Sequence, residues 1–311
     1  MLTTSDLKEK HLLFIKTERG KENKIKFWND NIRFMKDGEL CNQISCHNVF
    51  ALFVVGDLSV TSKMINKCHD YGISLFLLDY KLRQYANIGS QLDGNYLLRS
   101  KQYSYVDDGL AFAKNLIFNK IQNQRKLTDE STNGVAEIRT KITKATALKE
   151  LLGIEGSYSK KHFGKYFGDL GWKKRQPRAK QDIINFLLDM GYYYLFNITD
   201  SLLRVYGFDS YKGIYHQLFF ERKSLACDIM EPFRCIIDKS IKKAFRLKKI
   251  KEKDFKFING HYQLNYTRSA DYSEIFLSEI MVNIEDLHLY VKNFYKFMLS
   301  DQDLPYFKYR G

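Results

Sequence analysis

The chain has 311 residues, a formal net charge of +14, 44% hydrophobic and 15% aromatic residues, and only three prolines. That composition excludes an intrinsically disordered chain and leaves apolar mass for about two domains. No apolar run reaches the roughly 18 to 20 residues that span a bilayer, the N-terminus MLTTSDLKEK lacks a secretory pattern, and the five cysteines have no CxxC spacing and read as reduced thiols, so the expectation is a soluble, cytoplasmic protein.

In chain order, HLLFIKTE, KIKFW and NIRFMK alternate apolar and polar residues with period two. Asn29-Asp30 and Asp37-Gly38 are hairpin turn signals between and after them. Val49 to Val55 is apolar throughout and reads as a buried strand. Ser59 is placed to cap a short helix carrying Val60, Met64, Ile65 and Cys68, which Gly72 ends before a further strand at Ser74 to Asp79. From Gly94 the period changes to that of helices, in NYLLRSKQYSY, DDGLAFAKNLIFNKIQNQRKL, the long stretch from Ala136 to Phe167, and DIINFLLDMGYYYLFNITDSLLRVYG. The expected fold is α+β: a small, mainly-β N-terminal domain over residues 1–80, a linker over 81–94, and a larger all-α domain over 95–311.

The charge is concentrated. Residues 160–180 hold eight Lys and Arg against Asp169 alone, and residues 239–256 hold nine against Glu252 and Asp254. Each patch carries a balance of +7, so the two account for the whole excess, the footprint of a protein that binds a phosphate backbone. Aromatics interleave the first patch (His162, Phe163, Tyr166, Phe167, Trp172) and serve either to stack on unpaired bases or to fill the core. Tyr192, Tyr193 and Tyr194 read as structural residues of an apolar helix.

Between the patches lies YHQLFFERKSLACDIMEPFR, in which Asp228 and Glu231 follow His216 by twelve and fifteen residues. Two carboxylates three apart on a helix share a face, and with one imidazole they suit a hard or borderline divalent ion such as Mg²⁺ or Mn²⁺. Pro232 either kinks this helix or sits in its first turn; a kink would free the Asp228 carbonyl and re-aim Glu231. Glu155 stands between Gly153 and Gly156 beside the Lys160-Lys161 pair, a position from which it reaches an ion and a phosphate together. There is no GxSxG elbow and no GxxxxGK[ST] loop, so serine hydrolase and P-loop nucleotide chemistry are not indicated.

Four ordered landmarks carry a resemblance to a known family: VFALFVVGDLSVTSKMINKCHDYGISLFLLD, DGNYLLRSKQY, LLGIEGSYSKKHF, and GIYHQ followed by RKSLACDIMEPFR. Together they resemble the CRISPR-associated integrase of spacer acquisition, the first of the core Cas proteins, over nearly the whole chain. Cys227, Pro232, Cys235 and Lys223 depart from the family's usual residues around the acidic pair. The resemblance implies a metal held by Glu155, His216 and Glu231, with Asp228 either a further ligand or the residue that fixes His216. It implies a reaction in which the 3′-hydroxyl of an incoming double-stranded DNA fragment attacks a repeat, with endonuclease cutting when water replaces it. Lys160, Lys161, Arg175 and Arg178 would hold phosphates near the ion, Lys242, Lys243, Arg246, Lys248 and Lys249 would extend the track, and Arg99 joins them from the resemblance alone. The family forms homodimers, here assigned to the N-terminal domain, and joins a second core Cas protein; no membrane is involved. A stand-alone repair nuclease and a noncatalytic nucleic-acid scaffold are the competing readings.

Overall fold

The computed structural model describes residues 10–89, 95–105, 109–128, 134–216, 220–300 and 302–310. The chain divides into two units, one reaching to Asn95 and taking in Arg204–Gly207, the other comprising the rest.

In the first unit β1 (His11–Lys16), β5 (Val49–Val55) and β6 (Ser74–Leu78) run parallel, and β7 (Gln84–Ile88) pairs antiparallel with β6. A helix, α1 (Ser62–Asp70), makes the crossover from β5 to β6. Between β1 and β5 the chain forms a separate antiparallel meander, β2 (Asn23–Trp28), β3 (Asn31–Lys36) and β4 (Glu39–Ser45). Its turns use the dipeptides that the sequence marks: Asn29 and Asp30 have φ of 45° and 56°, and Asp37 and Gly38 have 49° and 85°, the positive values that match the twist of a two-residue hairpin. Every residue of β5 is buried, as its unbroken apolar sequence requires of a central parallel strand. One face of the sheet stacks Phe14 on Phe53 and Phe53 on Phe76, with ring centroids 4.5 and 4.8 Å apart. Ile15, Leu52, Val54 and Leu75 form a core cluster with Ile32 of the meander and Met64 and Cys68 of α1.

Three local readings change. The α1 cap is Thr61, whose hydroxyl accepts from the Met64 N–H at 3.2 Å, rather than Ser59. β4 forms although its sequence, ELCNQIS, shows no alternation, because β3 pairs with it along its length, with one irregularity between Phe34 and Met35 that passes over Cys41. The segment assigned to the linker, 81–94, contains β7 across residues 84–88, and residues 90–94 of it lie outside those described.

The second unit is mainly helical: α2 (Tyr96–Ser104), α3 (Gly109–Leu127), α4 (Val135–Lys144), α5 (Leu148–Phe167), α6 (Ile183–Val205), α7 (Ser224–Met230), α8 (Arg234–Arg246), α9 (Ser269–Val282) and α10 (Ile284–Ser300). It is not all-α. β8 (Phe255–Ile258) and β9 (His261–Leu264) form a hairpin at Asn259-Gly260, both with positive φ. An Asn-Gly pair between short apolar runs is a strong hairpin signal, hidden here at the end of a lysine-rich stretch.

Central to this unit is α3. It buries Phe112, Leu116, Ile117 and Ile121, and on a neighbouring stripe also buries Asn119, Lys120, Asn123 and Gln124. The asparagine amides act as rungs. Asn119 exchanges hydrogen bonds with the Phe307 backbone at 2.6 and 2.9 Å. Asn123 accepts from Tyr309 N and donates to the carbonyls of Pro232 and Phe307, each at 3.0 Å. The C-terminal segment is thereby laid along α3, Phe307 stacks 4.0 Å from Phe233, and the proline turn that carries Glu231 is anchored to the same helix.

Candidate active site in the helical unit

At Pro232 the α-helix gives way to a 3₁₀ turn before resuming at Arg234. Glu231 takes helical angles, φ −54° and ψ −46°, despite preceding proline, and Glu231–Phe233 form a single 3₁₀ turn between α7 and α8. The Asp228 carbonyl, which would have received the missing Pro232 N–H, accepts from the Glu231 N–H instead, so it is not freed. This tighter turn buries Asp228 and Glu231 together.

The Asp228 carboxylate is saturated by the loop before α7. Oδ2 accepts from the Ile214 and Tyr215 N–H groups at 2.7 and 3.0 Å, and Oδ1 accepts from the His216 N–H at 2.9 Å. Oδ1 also lies 2.6 Å from Nδ1 of His216. A ring that donates through Nδ1 keeps its lone pair on Nε2. The wrap needs glycine at position 213: a Cβ there would lie 2.6 Å from Ser224 Cβ and 2.7 Å from the His216 carbonyl oxygen.

Glu231 is ion-paired on both sides, by Arg234 Nη2 at 2.8 Å on Oε1 and by Lys120 Nζ at 2.7 Å on Oε2. Burial alone would push its carboxyl up, but Arg234, then Lys120 and His216, outweigh burial and hold it down at about 2. Lys120 reaches a second carboxylate, Glu155 Oε1 at 2.5 Å, which also accepts from the Ser159 hydroxyl at 3.1 Å. The charges reinforce one another: burial works against the Lys120 ammonium, yet Glu231 and Glu155 raise its pKa above the usual lysine value. Burial and the Glu155, Glu231 and Asp228 carboxylates all push the Tyr215 phenol up, so it stays protonated.

Glu155 and Glu231 thus converge on one cation, the Lys120 ammonium. Among the described residues, no group of three His, Cys, Asp or Glu side chains stands close enough to hold a metal ion as found. Lys120, Glu155, Gln124 and Arg234 line an open cleft of about 770 Å³ whose walls include Arg175, Arg178, Arg222 and Lys223.

The basic residues expected to hold phosphates separate into three kinds. Arg178 is exposed on the cleft wall, with its backbone N–H donating to Asp189 at 2.7 Å, whereas the Arg175 guanidinium is engaged by Asn185 and Asp189 at 2.9 and 2.5 Å. Lys160 and Lys161 are exposed on α5, with Lys161 lining a neighbouring groove beside Glu137 and Lys141. Lys243, Arg246, Lys248 and Lys249 are exposed at and beyond the end of α8, and Arg99 is half-buried on α2. Lys242 is a correction: it is 7% exposed, and its ammonium donates to the Tyr166 carbonyl and to Asp169, closing α8 onto α5. A position four residues from the C-terminal end of an amphipathic helix faces inward as readily as outward, and the charge count cannot tell which.

The aromatics of the first patch also turn inward, with His162, Phe163, Tyr166 and Phe167 buried and Trp172 packed on Phe163 and Phe167. Tyr193 departs from its buried neighbours Tyr192 and Tyr194: it is 41% exposed and lines the cleft with Phe220. Sequence reasoning missed Lys120, Arg234 and Gln124. For Lys120 and Gln124 the available signal was polar residues recurring every three to four positions in GLAFAKNLIFNKIQNQRKL, a pattern that a solvated helix face shares; Arg234 lies outside that stretch.

A mainly-β unit followed by a helical unit, with an Asp-clamped histidine and two glutamates joined through a lysine that lines a cleft rich in arginine, defines the class of protein with which the chain is to be compared. The family model of CRISPR associated protein Cas1 matches residues 19–276, and the chain belongs to that family. A CRISPR-associated endonuclease Cas1 of Thermodesulfovibrio yellowstonii is 28% identical over 256 residues, covering 76% of this chain and 80% of its own. In fold, the chain is similar to one in a partial Cas6-RT-Cas1–Cas2 complex (TM-score 0.82, 22% identity, covering 97% of this chain and 99% of that one). It is also similar to a casposase bound to integration product (TM-score 0.72, 18% identity, 96% and 99% covered). No helix among the described residues is long and apolar enough to cross a membrane.

Proposed function

We propose that this chain is a metal-dependent DNA integrase and endonuclease of CRISPR adaptation, with Mg²⁺ or Mn²⁺ held by Glu155, Glu231 and Nε2 of His216. The observation that carries the reading is the convergence of Glu155 and Glu231 on one cation, Lys120, which lines a basic cleft. The donor chemistry fits a hard or borderline divalent ion, and Glu231 Oε2 is buried with no hydrogen-bond donor beyond its ion pair with Lys120. When bound, such an ion supplies Lewis-acid stabilisation of the charge that develops at a scissile phosphate.

The remaining roles belong to the chain. Asp228 sets the tautomer and direction of His216. Arg234 keeps Glu231 ionised. Arg178 and Arg222 neutralise the backbone of double-stranded DNA, which positions it without reading sequence, while Lys223 is held by Asp200 at 2.6 Å, and Tyr193 and Phe220 offer faces to bases unstacked at an end. The nucleophile is the 3′-hydroxyl of an incoming fragment attacking the edge of a repeat; with water in its place the site cuts. The working form is a homodimer joined to a second core Cas protein, since one active site cannot measure the length of a fragment.

The test is to incubate the protein and its partner with a short duplex bearing free 3′ ends and a supercoiled repeat-bearing plasmid, with Mn²⁺ or with EDTA. Joined products that vanish with EDTA and with His216→Ala are expected. Cutting without joining favours a repair nuclease. DNA binding with neither activity, unchanged by Glu155→Ala and His216→Ala, favours a noncatalytic scaffold.

A further inference from the structure

We infer that Lys120 is a resident cation that keeps the metal seat closed: its ammonium bridges Glu155 and Glu231 in the absence of metal and must leave, toward Gln124, for a divalent ion to enter. The inference rests on the reading of Glu155, Glu231 and His216 as a metal site and says what governs filling of that site.

Lys120 comes from α3 and is 5% exposed, with Nζ 2.5 Å from Glu155 Oε1 and 2.7 Å from Glu231 Oε2. Two carboxylates brought together away from solvent repel unless a cation lies between them. Arg234 cannot be that cation, because it pairs with the outer oxygen of Glu231, Oε1, at 2.8 Å. An Mg²⁺ or Mn²⁺ ion, which takes oxygen ligands at about 2.1 Å, would need the same two oxygens and the same space as the ammonium, and like charges there exclude joint occupancy.

A second feature gives the displaced ammonium somewhere to go. Gln124 lies one turn further along α3, lines the same cleft and is fully buried, yet neither atom of its side-chain amide has a hydrogen-bond partner. Buried amides left unpartnered are rare in folded proteins. Residues four apart on a helix are neighbours, and an amide oxygen is a ready acceptor for an ammonium. Lys120 therefore has two sets of partners on one face of α3, one for each state of the site. Metal affinity becomes a competition, weakened by the fraction of molecules in which Lys120 still sits between the carboxylates.

The experiment measures free Mn²⁺ by electron paramagnetic resonance during titration of the full chain, together with thermal unfolding with and without Mn²⁺. Lys120→Met should bind Mn²⁺ about tenfold tighter than the parent, melt lower without metal, and be stabilised more on adding it. Gln124→Leu keeps the bridge but removes the receiving group and its unpartnered amide; it should melt at or above the parent without metal and bind Mn²⁺ more weakly. Binding by Lys120→Met that is equal to or weaker than the parent's overturns the inference while leaving the metal site standing. If Lys120→Met does not fold, Gln124→Leu decides, and parental affinity there overturns it. If the parent and both variants leave all Mn²⁺ free, the metal-site reading itself fails and this inference with it.

Discussion

Asp228 Oδ1 lies 2.6 Å from the ring nitrogen Nδ1 of His216 and 2.9 Å from the same residue's backbone nitrogen, so one oxygen fixes both the side chain and the main chain of a single residue. The other oxygen holds Ile214 and Tyr215. Asp228→Asn can accept through one atom only, and its NH₂ group faces donors. DNA joining should fall by about 10²-fold, since residues that orient a ligating histidine are worth that much. Unfolding free energy should fall by about 3 kcal/mol, as buried donors are deprived of a charged acceptor. Plasmid-joining assays and urea melts measure the two; full activity would show that the carboxylate does not orient the ring.

Gly213 makes that wrap sterically possible. Its missing Cβ would meet Ser224 Cβ at 2.6 Å and Asp228 Oδ2 at 3.0 Å, both fixed by burial. Gly213→Ala should destabilise by about 2 kcal/mol through overpacking, and should lose activity even at temperatures where it remains folded. Circular dichroism melts alongside the joining assay separate the two effects.

Lys242 and its neighbours Lys248 and Lys249 look alike in sequence and should behave oppositely. Lys242→Met removes a buried donor to Tyr166 and Asp169, so stability should drop by about 2 kcal/mol with an unchanged salt dependence of DNA binding. Lys248→Ala with Lys249→Ala should leave stability intact and lower the slope of log affinity against log salt by roughly one for each phosphate that is no longer neutralised. Filter binding across a series of salt concentrations reads the slope; identical behaviour of the two variants would contradict the assignment.

His288 on α10 provides a pH signature remote from any metal. Burial, with Lys292 adding to it, pushes the imidazole down to about 4 from its ordinary 6.5. The unfolded chain takes up the proton first as pH falls. The contribution is therefore whole above pH 6.5 and is lost progressively toward pH 4. His288→Gln should remove about 2 to 3 kcal/mol of the acid-side loss between about pH 7 and pH 4. Denaturant melts of both proteins at those two pH values check the difference, and parallel curves would refute it.

Much of the architecture was legible because it is local. Asn29-Asp30 and Asp37-Gly38 set the meander's turns through backbone angles that few other residues tolerate, the seven apolar residues of β5 can only be a buried strand, and helical period marks most of the second unit. β4 and β7 were not legible, since a neighbouring strand's open hydrogen bonds, rather than their own side chains, make them strands. Asn259-Gly260 is a legible turn signal that the charge run before it obscures.

At the site, the residue types and spacing of His216, Asp228 and Glu231 are properties of the sequence alone, and so is the excess of positive charge available to phosphates. What each group does was decided by the tertiary structure. The same Asp228 could have faced an open cleft or three backbone N–H groups, depending on a close approach that Gly213 permits. Lys242 became structural because α8 presses it against α5, and Lys120 became the cation between two glutamates because α3 delivers it there with almost no exposure to water. Charge and spacing are written along the chain, but desolvation and pairing exist only once distant segments share a low-dielectric interior.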